Sequence, residues 1–505
     1  MANEVLHEEP DAPHAPSVNR VAKNTFIYFI GQIVTWIATL IHMVVNPNFF
    51  GSTKVGEWQI AATFVGTAST FIALCLENYL TVESARKSRD EAARLINAAI
   101  GLRLVMVPLV VVIPLSIMHF KHENSETFAL GVIISLGACL SLLSGPMLAA
   151  LSGWEEAKKC TIISIISSSA AIINIPFYRV GYIPTVIVYQ LVASVVPFCL
   201  LFAWVNRTIG VFPTFDPKLW KRVILGGAPF LLNTFVLVIY SACSTLILQH
   251  FTSLEEVGNY GTASKLIGAT MFFPAALCAA LLPSAARMAD ANDEKSFDRM
   301  QIRVFSVTLI AGLGVSTFMF MLGGQITHMI YRDRFPTVPA MMTWSAFGIL
   351  PIYITTILYT FLVAKRKNAS WSLFLVGTVI LNYILCYLLI PYTIRTMHNG
   401  GVGAIVSFGM AELTTAIFAM FLLKIKVLNL SSILQLAKAI VASGLMALSI
   451  WLVRDSFILI PIALGGAVFI LSIWFLRAIE PEDQEKIVGI FTRKFAPIFK
   501  FILRK

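Results

Sequence analysis

The sequence predicts an all-α polytopic membrane protein of about 14 transmembrane helices. Two six-helix bundles stand as parallel repeats around a central cleft, and two extra helices follow at the C-terminal end. Three observations predict this. The chain has 505 residues, 57% hydrophobic and only 13% charged, which is too apolar for a soluble core and suits a bilayer. Its apolar residues come in unbroken runs of the roughly 20 residues that a spanning helix needs. A stretch around the second run recurs 202 residues later. Because the runs are continuous and not alternating, a β-barrel is excluded.

The runs that build the first bundle, within residues 20–205, are 24–46, 58–82, 96–118, 127–151, 160–178 and 184–205, or spans 1 to 6. Residues 206–221 read as a cytoplasmic linker. The second bundle, 222–424, holds 222–248, 258–283, 303–324, 339–365, 368–391 and 401–424, or spans 7 to 12. Residues 433–478 hold spans 13 and 14, at 433–453 and 457–478. Residues 1–19 are acidic and proline-containing, with no apolar core. They read as a disordered cytoplasmic tail and not as a signal peptide. In the tail 479–505, Ile487, Ile490, Phe491, Phe495, Ile498 and Ile502 recur at helical spacing among lysines and arginines. That pattern predicts an amphipathic helix on the anionic lipids of the cytoplasmic leaflet.

Charge orients the spans. The connectors after even-numbered spans carry 19 lysines and arginines, and those after odd-numbered spans carry 7. The richer side is cytoplasmic by the positive-inside rule, which puts both termini inside. The net charge of +11 is therefore a matter of topology, and no nucleic-acid partner is expected. None of the seven cysteines forms a C-x-x-C pair; they read as small buried hydrophobes. His119 and His122 stand three apart with no further ligand nearby, so neither a metal nor another cofactor is expected.

The repeat explains a misleading motif. "GSTKVGEW", Gly51 to Trp58, has the glycine spacing of a phosphate loop. Such a loop continues with lysine and a hydroxyl, whereas Glu57 and Trp58 follow here. Val55-Gly56 instead matches Val257-Gly258, and Ser84-Ala85-Arg86 matches Ala285-Ala286-Arg287. The glycines are expected to close tight external hairpins before spans 2 and 8. A six-span repeat keeps its orientation in the membrane, so the halves are related by an axis along the membrane normal.

"RVAKNTFIYFIGQIV", "NFFGSTKVGEWQIAATF", "GGAPFLLNTF" and "EVGNYGTASKL" resemble the multidrug/oligosaccharidyl-lipid/polysaccharide flippase superfamily. The match is nearest to its polysaccharide-transporter branch, the lipid-linked oligosaccharide or O-antigen-type flippases, and covers spans 1 to 12. The resemblance implies an alternating-access carrier in the bacterial cytoplasmic (inner) membrane. It would move a polyprenyl-diphosphate-linked oligosaccharide outward for lipopolysaccharide or exopolysaccharide assembly, without ATP, alongside polysaccharide polymerase or chain-length partners. Relatives often carry an acid late in span 7, where this chain reads "YSACSTLIL".

Ionisable residues inside spans are costly and mark functional candidates. Arg103 in span 3 suits a diphosphate by its fork geometry, and lies at a depth where it can instead pair with Glu77 of span 2. Lys265 in span 8 is a second candidate for the anionic substrate, or else snorkels to the outer interface. Glu412, nearest the midplane in span 12, is the candidate for proton or sodium coupling, with Glu77 as a second. Gln32, Asn174, Asn233 and Asn382 are candidate cleft-lining residues, Gln32 and Asn233 being the substrate-binding choices, and each has interhelical bonding as its alternative. Two other functions fit less of the sequence. A cation-coupled multidrug exporter has the same fold but prefers an acidic or aromatic cavity. A glycan polymerase or ligase needs a large external loop and a catalytic set, and neither is seen, so no enzyme is expected.

Overall fold

A computed structural model describes residues 18–291, 293–423 and 430–478. The amphipathic helix expected at 479–505 and nearly all of the N-terminal tail lie outside the described residues. The helices are α1 (Val18–Ala73), α2 (Leu76–Arg86), α3 (Arg89–Phe120), α4 (Ser125–Gly153), α5 (Ala157–Ile173), α6 (Tyr182–Gln190), α7 (Val196–Ile209), α8 (Pro217–Phe251), α9 (Leu254–Thr270), α10 (Phe272–Asp290), α11 (Glu294–Tyr331), α12 (Val338–Ala364), α13 (Asn368–Met397), α14 (Gly400–Leu423), α15 (Leu430–Leu452) and α16 (Leu459–Phe475). No strand occurs among the described residues.

Eleven helical stretches among the described residues are long and apolar enough to cross a membrane, counting α5 with the turn after it (Ala157–Val180) and α6 with α7 (Tyr182–Ile209) as one each, or up to 12 if α9 and α10, bent by 42° at Met271, form one span. The expected 14 is reached only by dividing α1 at its break and adding α16, which has 17 residues. Large apolar side chains stand exposed along the helices, Phe421 at 81% and Ile470 at 67%. Lipid is the solvent that accepts them.

The chain forms two compact units that do not follow its halves. Among the described residues, one comprises 18–42, 72–112 and 135–229; the other comprises 43–71, 113–134, 230–291, 293–423 and 430–478.

In the first unit, Ile96, Met147, Leu151, Leu201 and Val205 form one buried cluster, and Leu76, Leu80, Leu95 and Val223 form another. Part of the segment expected as a linker packs against α3. Asn97 of α3 donates to the Gly210 carbonyl at 3.1 Å and accepts from the Phe212 amide at 3.2 Å. The Trp220 indole then closes on the Thr214 carbonyl at 3.1 Å. Span 2 is discontinuous here. α1 stops at Ala73, Leu74 and Cys75 take left-handed φ angles of 53° and 52°, and α2 begins at Leu76. L-residues take this conformation only where the surroundings hold it.

In the second unit, Phe297, Ile357, Phe361 and Leu362 centre the core. Its first segment shows how a proline is accommodated in a helix. Pro47 lies inside α1 and has no amide hydrogen for the carbonyl four residues back, that of Met43. The Tyr331 hydroxyl of α11 donates to that carbonyl at 2.9 Å.

The hairpin glycines behave differently from the expectation. The chain breaks at Gly51, with φ of 80°, and not at Gly56. The second turn lies at Thr252 and Ser253, where the Ser253 hydroxyl caps α9 by accepting from the Glu256 amide. Gly56 and Gly258 are inside helices. A Cβ on Gly56 would overlap the Leu254 carbonyl, and one on Gly258 would overlap that of Ser52. The glycines are repeated because two backbones cross there. Each repeat also places an acid on the N-cap of a later span: Glu57 accepts from Asn124 at 3.2 Å, and Glu256 from Thr337 at 3.0 Å.

Candidate functional site

The charged residues predicted within the spans fall into three surroundings. In the first unit Arg103 is 0% exposed. One guanidinium nitrogen donates to the Leu142 carbonyl of α4. The other donates to the Ala73 carbonyl at 3.1 Å and to Glu77 Oε1 at 2.6 Å. Glu77 stands in the first turn of α2 with its side chain 39% exposed. Of the two roles open to Arg103, this geometry supplies what the ion pair requires. A diphosphate would have to displace all three acceptors from a sealed guanidinium. Gln32 lies exposed on α1 in this unit.

Lys265, in the second unit, has the opposite surroundings. Gly258, Gly261 and Lys265 share one face of α9, since seven residues are nearly two turns. Gly258 lies against Ser52, and a Cβ on Gly261 would lie 3.0 Å from the Gln59 Oε1 atom. Lys265 continues that face one turn further along. It is half-buried and has no hydrogen bond or ion pair among the described residues. Among the described residues, its ammonium thus has no acceptor like the three that the Arg103 guanidinium meets. Asn233 belongs to α8, but its side chain lies outside the described residues.

Glu412 is buried on α14, in the second unit. The Thr355 hydroxyl of α12 donates to the Glu412 backbone carbonyl at 3.3 Å. Tyr240 of α8 stacks on Phe408, with ring centroids 4.8 Å apart. Its buried hydroxyl lies beside the Glu412 carboxyl and makes no hydrogen bond among the described residues. Tyr240 was not singled out by the sequence, because a tyrosine in an apolar span carries no signal until its neighbour is known. Asn382 makes an interhelical bond, donating to Ser244 of α8 at 3.5 Å. Asn174 caps α5. No group of three or more metal-ligating side chains occurs among the described residues.

Known proteins identify the scaffold. The sequence profile of the family described as "Polysaccharide biosynthesis protein" matches residues 21–289, more than half of the chain, and the MatE profile matches 229–388. No curated protein matches the chain. Among solved structures, one described as the lipid II flippase MurJ in an inward closed conformation is similar over 90% of this chain and 99% of that chain. It is 15% identical, with a TM-score of 0.71. An inward-facing multidrug resistance MATE family transporter of the MOP superfamily matches over 78% and 94%, at 11% identity and a TM-score of 0.64. A MOP superfamily transporter from Pyrococcus furiosus, described as having a binding pocket of reverse polarity, matches over 81% and 95%, at 13% identity and a TM-score of 0.52. At these identities the likeness concerns the fold. The chain belongs to the polysaccharide biosynthesis protein family of the multidrug/oligosaccharidyl-lipid/polysaccharide superfamily, and is a multi-pass membrane protein with a transporter fold.

Proposed function

We propose that this protein is a flippase that carries a polyprenyl-diphosphate-linked oligosaccharide across the bacterial cytoplasmic membrane, for assembly of a cell-surface polysaccharide. The observation that carries the reading is Lys265, an ammonium within a spanning helix that has no counter-charge among the described residues. A desolvated charge is retained at a cost, which an anionic substrate would offset. A diphosphate is such an anion. Membership in the family supports the substrate class. Alternating access would then follow from parting of the helices that cross at Gly56 and Gly258.

Cation-coupled drug export is the second reading, and Glu412 beside Tyr240 is the observation that favours it. The same carboxyl serves the flippase as a proton or sodium site. Glu77 is engaged by Arg103, so we assign the coupling role to Glu412 alone.

The test uses vesicles reconstituted with the purified chain and a fluorescent polyprenyl-diphosphate-linked N-acetylglucosamine. Wild type is expected to flip the probe. Lys265→Gln should slow flipping by roughly 10- to 100-fold, the worth of one charge-assisted hydrogen bond. Glu412→Gln should stop net accumulation while the protein still inserts. Export of cationic dyes by vesicles that leave the glycolipid unmoved would replace the flippase reading with the drug exporter.

A further inference from the structure

Arg103 meets two carbonyls that the helices themselves leave without a donor. The Ala73 carbonyl is among the last of α1, and the final carbonyls of a helix have no intrahelical amide to accept from. The Leu142 carbonyl is four residues before Pro146, which lies inside α4 and has no amide hydrogen. The guanidinium donates to both, and to Glu77 in the first turn of the segment beyond the break.

We propose that Arg103 is the clamp of a discontinuous span 2: a positioning residue that holds the left-handed turn at Leu74 and Cys75 by joining α1, α2 and α4 at the points where their backbones are interrupted. Arginine suits this because its planar fork presents several N–H groups in different directions, and lysine does not. Gly145 leaves the necessary space. A Cβ there would overlap both the Arg103 guanidinium and the Glu77 carboxylate. Gly227 of α8 completes the seat, since a Cβ on it would lie 2.9 Å from the Leu74 carbonyl oxygen and 3.2 Å from the Leu76 side chain. The turn is thus met by both a clamp and a close-packed glycine. It also falls within three residues of the boundary between the compact units at Phe71 and Ile72.

The clamp is independent of what the protein transports, and so is its first test. Hydrogen–deuterium exchange is measured on the full chain in lipid nanodiscs without substrate, on the amides of residues 74–79. Arg103→Gln is expected to raise their exchange by about tenfold, while the α12 core keeps its protection. Gly145→Ala, which removes only the space, is expected to act in the same direction. Adding Pro146→Ala to Arg103→Gln gives the Leu142 carbonyl an intrahelical donor. That variant should regain protection near residues 142–146 and remain open at 74–79. Unchanged exchange at 74–79 in folded Arg103→Gln would overturn the clamp. If Arg103→Gln fails to insert, unchanged exchange in Gly145→Ala overturns it instead. In the glycolipid vesicles, Gly145→Ala should lower the maximal flipping rate and leave the half-saturating glycolipid concentration unaltered. A raised half-saturating concentration for Arg103→Lys, with normal exchange at 74–79, would make Arg103 a substrate ligand and overturn the proposal.

Discussion

At the scale of single residues, interrupted helices recruit donors from far along the chain. Pro47 and Pro146 each free one carbonyl, and a side chain from another helix takes each of them: the Tyr331 hydroxyl and the Arg103 guanidinium. In a bilayer no water replaces such a donor, so the carbonyl is satisfied by protein or left at a cost. Tyr331→Phe removes only the oxygen. It is expected to destabilise the protein by about 1–2 kcal/mol, the usual cost of an orphaned buried acceptor. Pro47→Ala restores an intrahelical donor to Met43. The effect of Tyr331→Phe should therefore shrink to near zero in a Pro47→Ala background. A double-mutant cycle in reversible unfolding from mixed micelles measures this coupling. Equal effects of Tyr331→Phe in both backgrounds would show that the hydroxyl does not serve that carbonyl.

At the scale of elements, glycines divide into those that let backbones approach and those that do not. Gly56 and Gly258 lie where the later part of α1 crosses α9, and any Cβ there meets a backbone carbonyl. Gly66 and Gly268 lie on the same two helices with nothing within 4 Å of the position a Cβ would take. Substitution to alanine should therefore have opposite signs. Gly258→Ala is expected to lower the melting temperature by several degrees, because two carbonyl-bearing backbones must separate. Gly268→Ala should hold or raise it, since alanine gains about 1 kcal/mol over glycine in a helix. Thermal unfolding of the two variants, followed by fluorescence in one detergent, makes the comparison. A loss of the same size for both would mean that the crossing glycines are not packing residues. The helix caps are a second device at this scale. Glu57 on Asn124 and Glu256 on Thr337 place carboxylates at helix N-termini, where the macrodipole favours negative charge.

At the scale of the whole molecule, orientation follows from charge. With 19 basic residues against 7 on alternate connectors, reporter fusions at Asp90, Asp216 and Asp293 are expected to report cytoplasm. Fusions at Lys121 and Asn399 should report the outside. A single clear reversal among the five sites would break the 14-span topology, which counts α1 as two spans and α16 as one. The charged pairs of the connectors agree with that assignment. Lys365 reaches Glu294 at 3.0 Å, and Arg366 reaches Asp290 at 3.2 Å, joining two connectors that the charge count puts on one side.

The sequence by itself determined the fold class, the approximate place of most helices and the recurrence of the glycine stretch. A spanning helix satisfies its own backbone, so its signature is a local run of apolar residues that can be read without neighbours. Arg103, Lys265 and Glu412 were legible as candidates for the same reason, since charge is conspicuous in an apolar run. Only the tertiary structure decided what surrounds each of them. Arg103 is met by carbonyls 30 and 39 residues away, whereas half-buried Lys265 has no such partner among the described residues. Hydropathy also gave no warning of the break at Leu74 and Cys75, because both residues are ordinary in a helix and the turn is held from outside it. The hairpin glycines show the same division. Their recurrence was visible in the sequence, but their purpose rests on two backbones meeting across 202 residues, a distance over which local pattern carries no information.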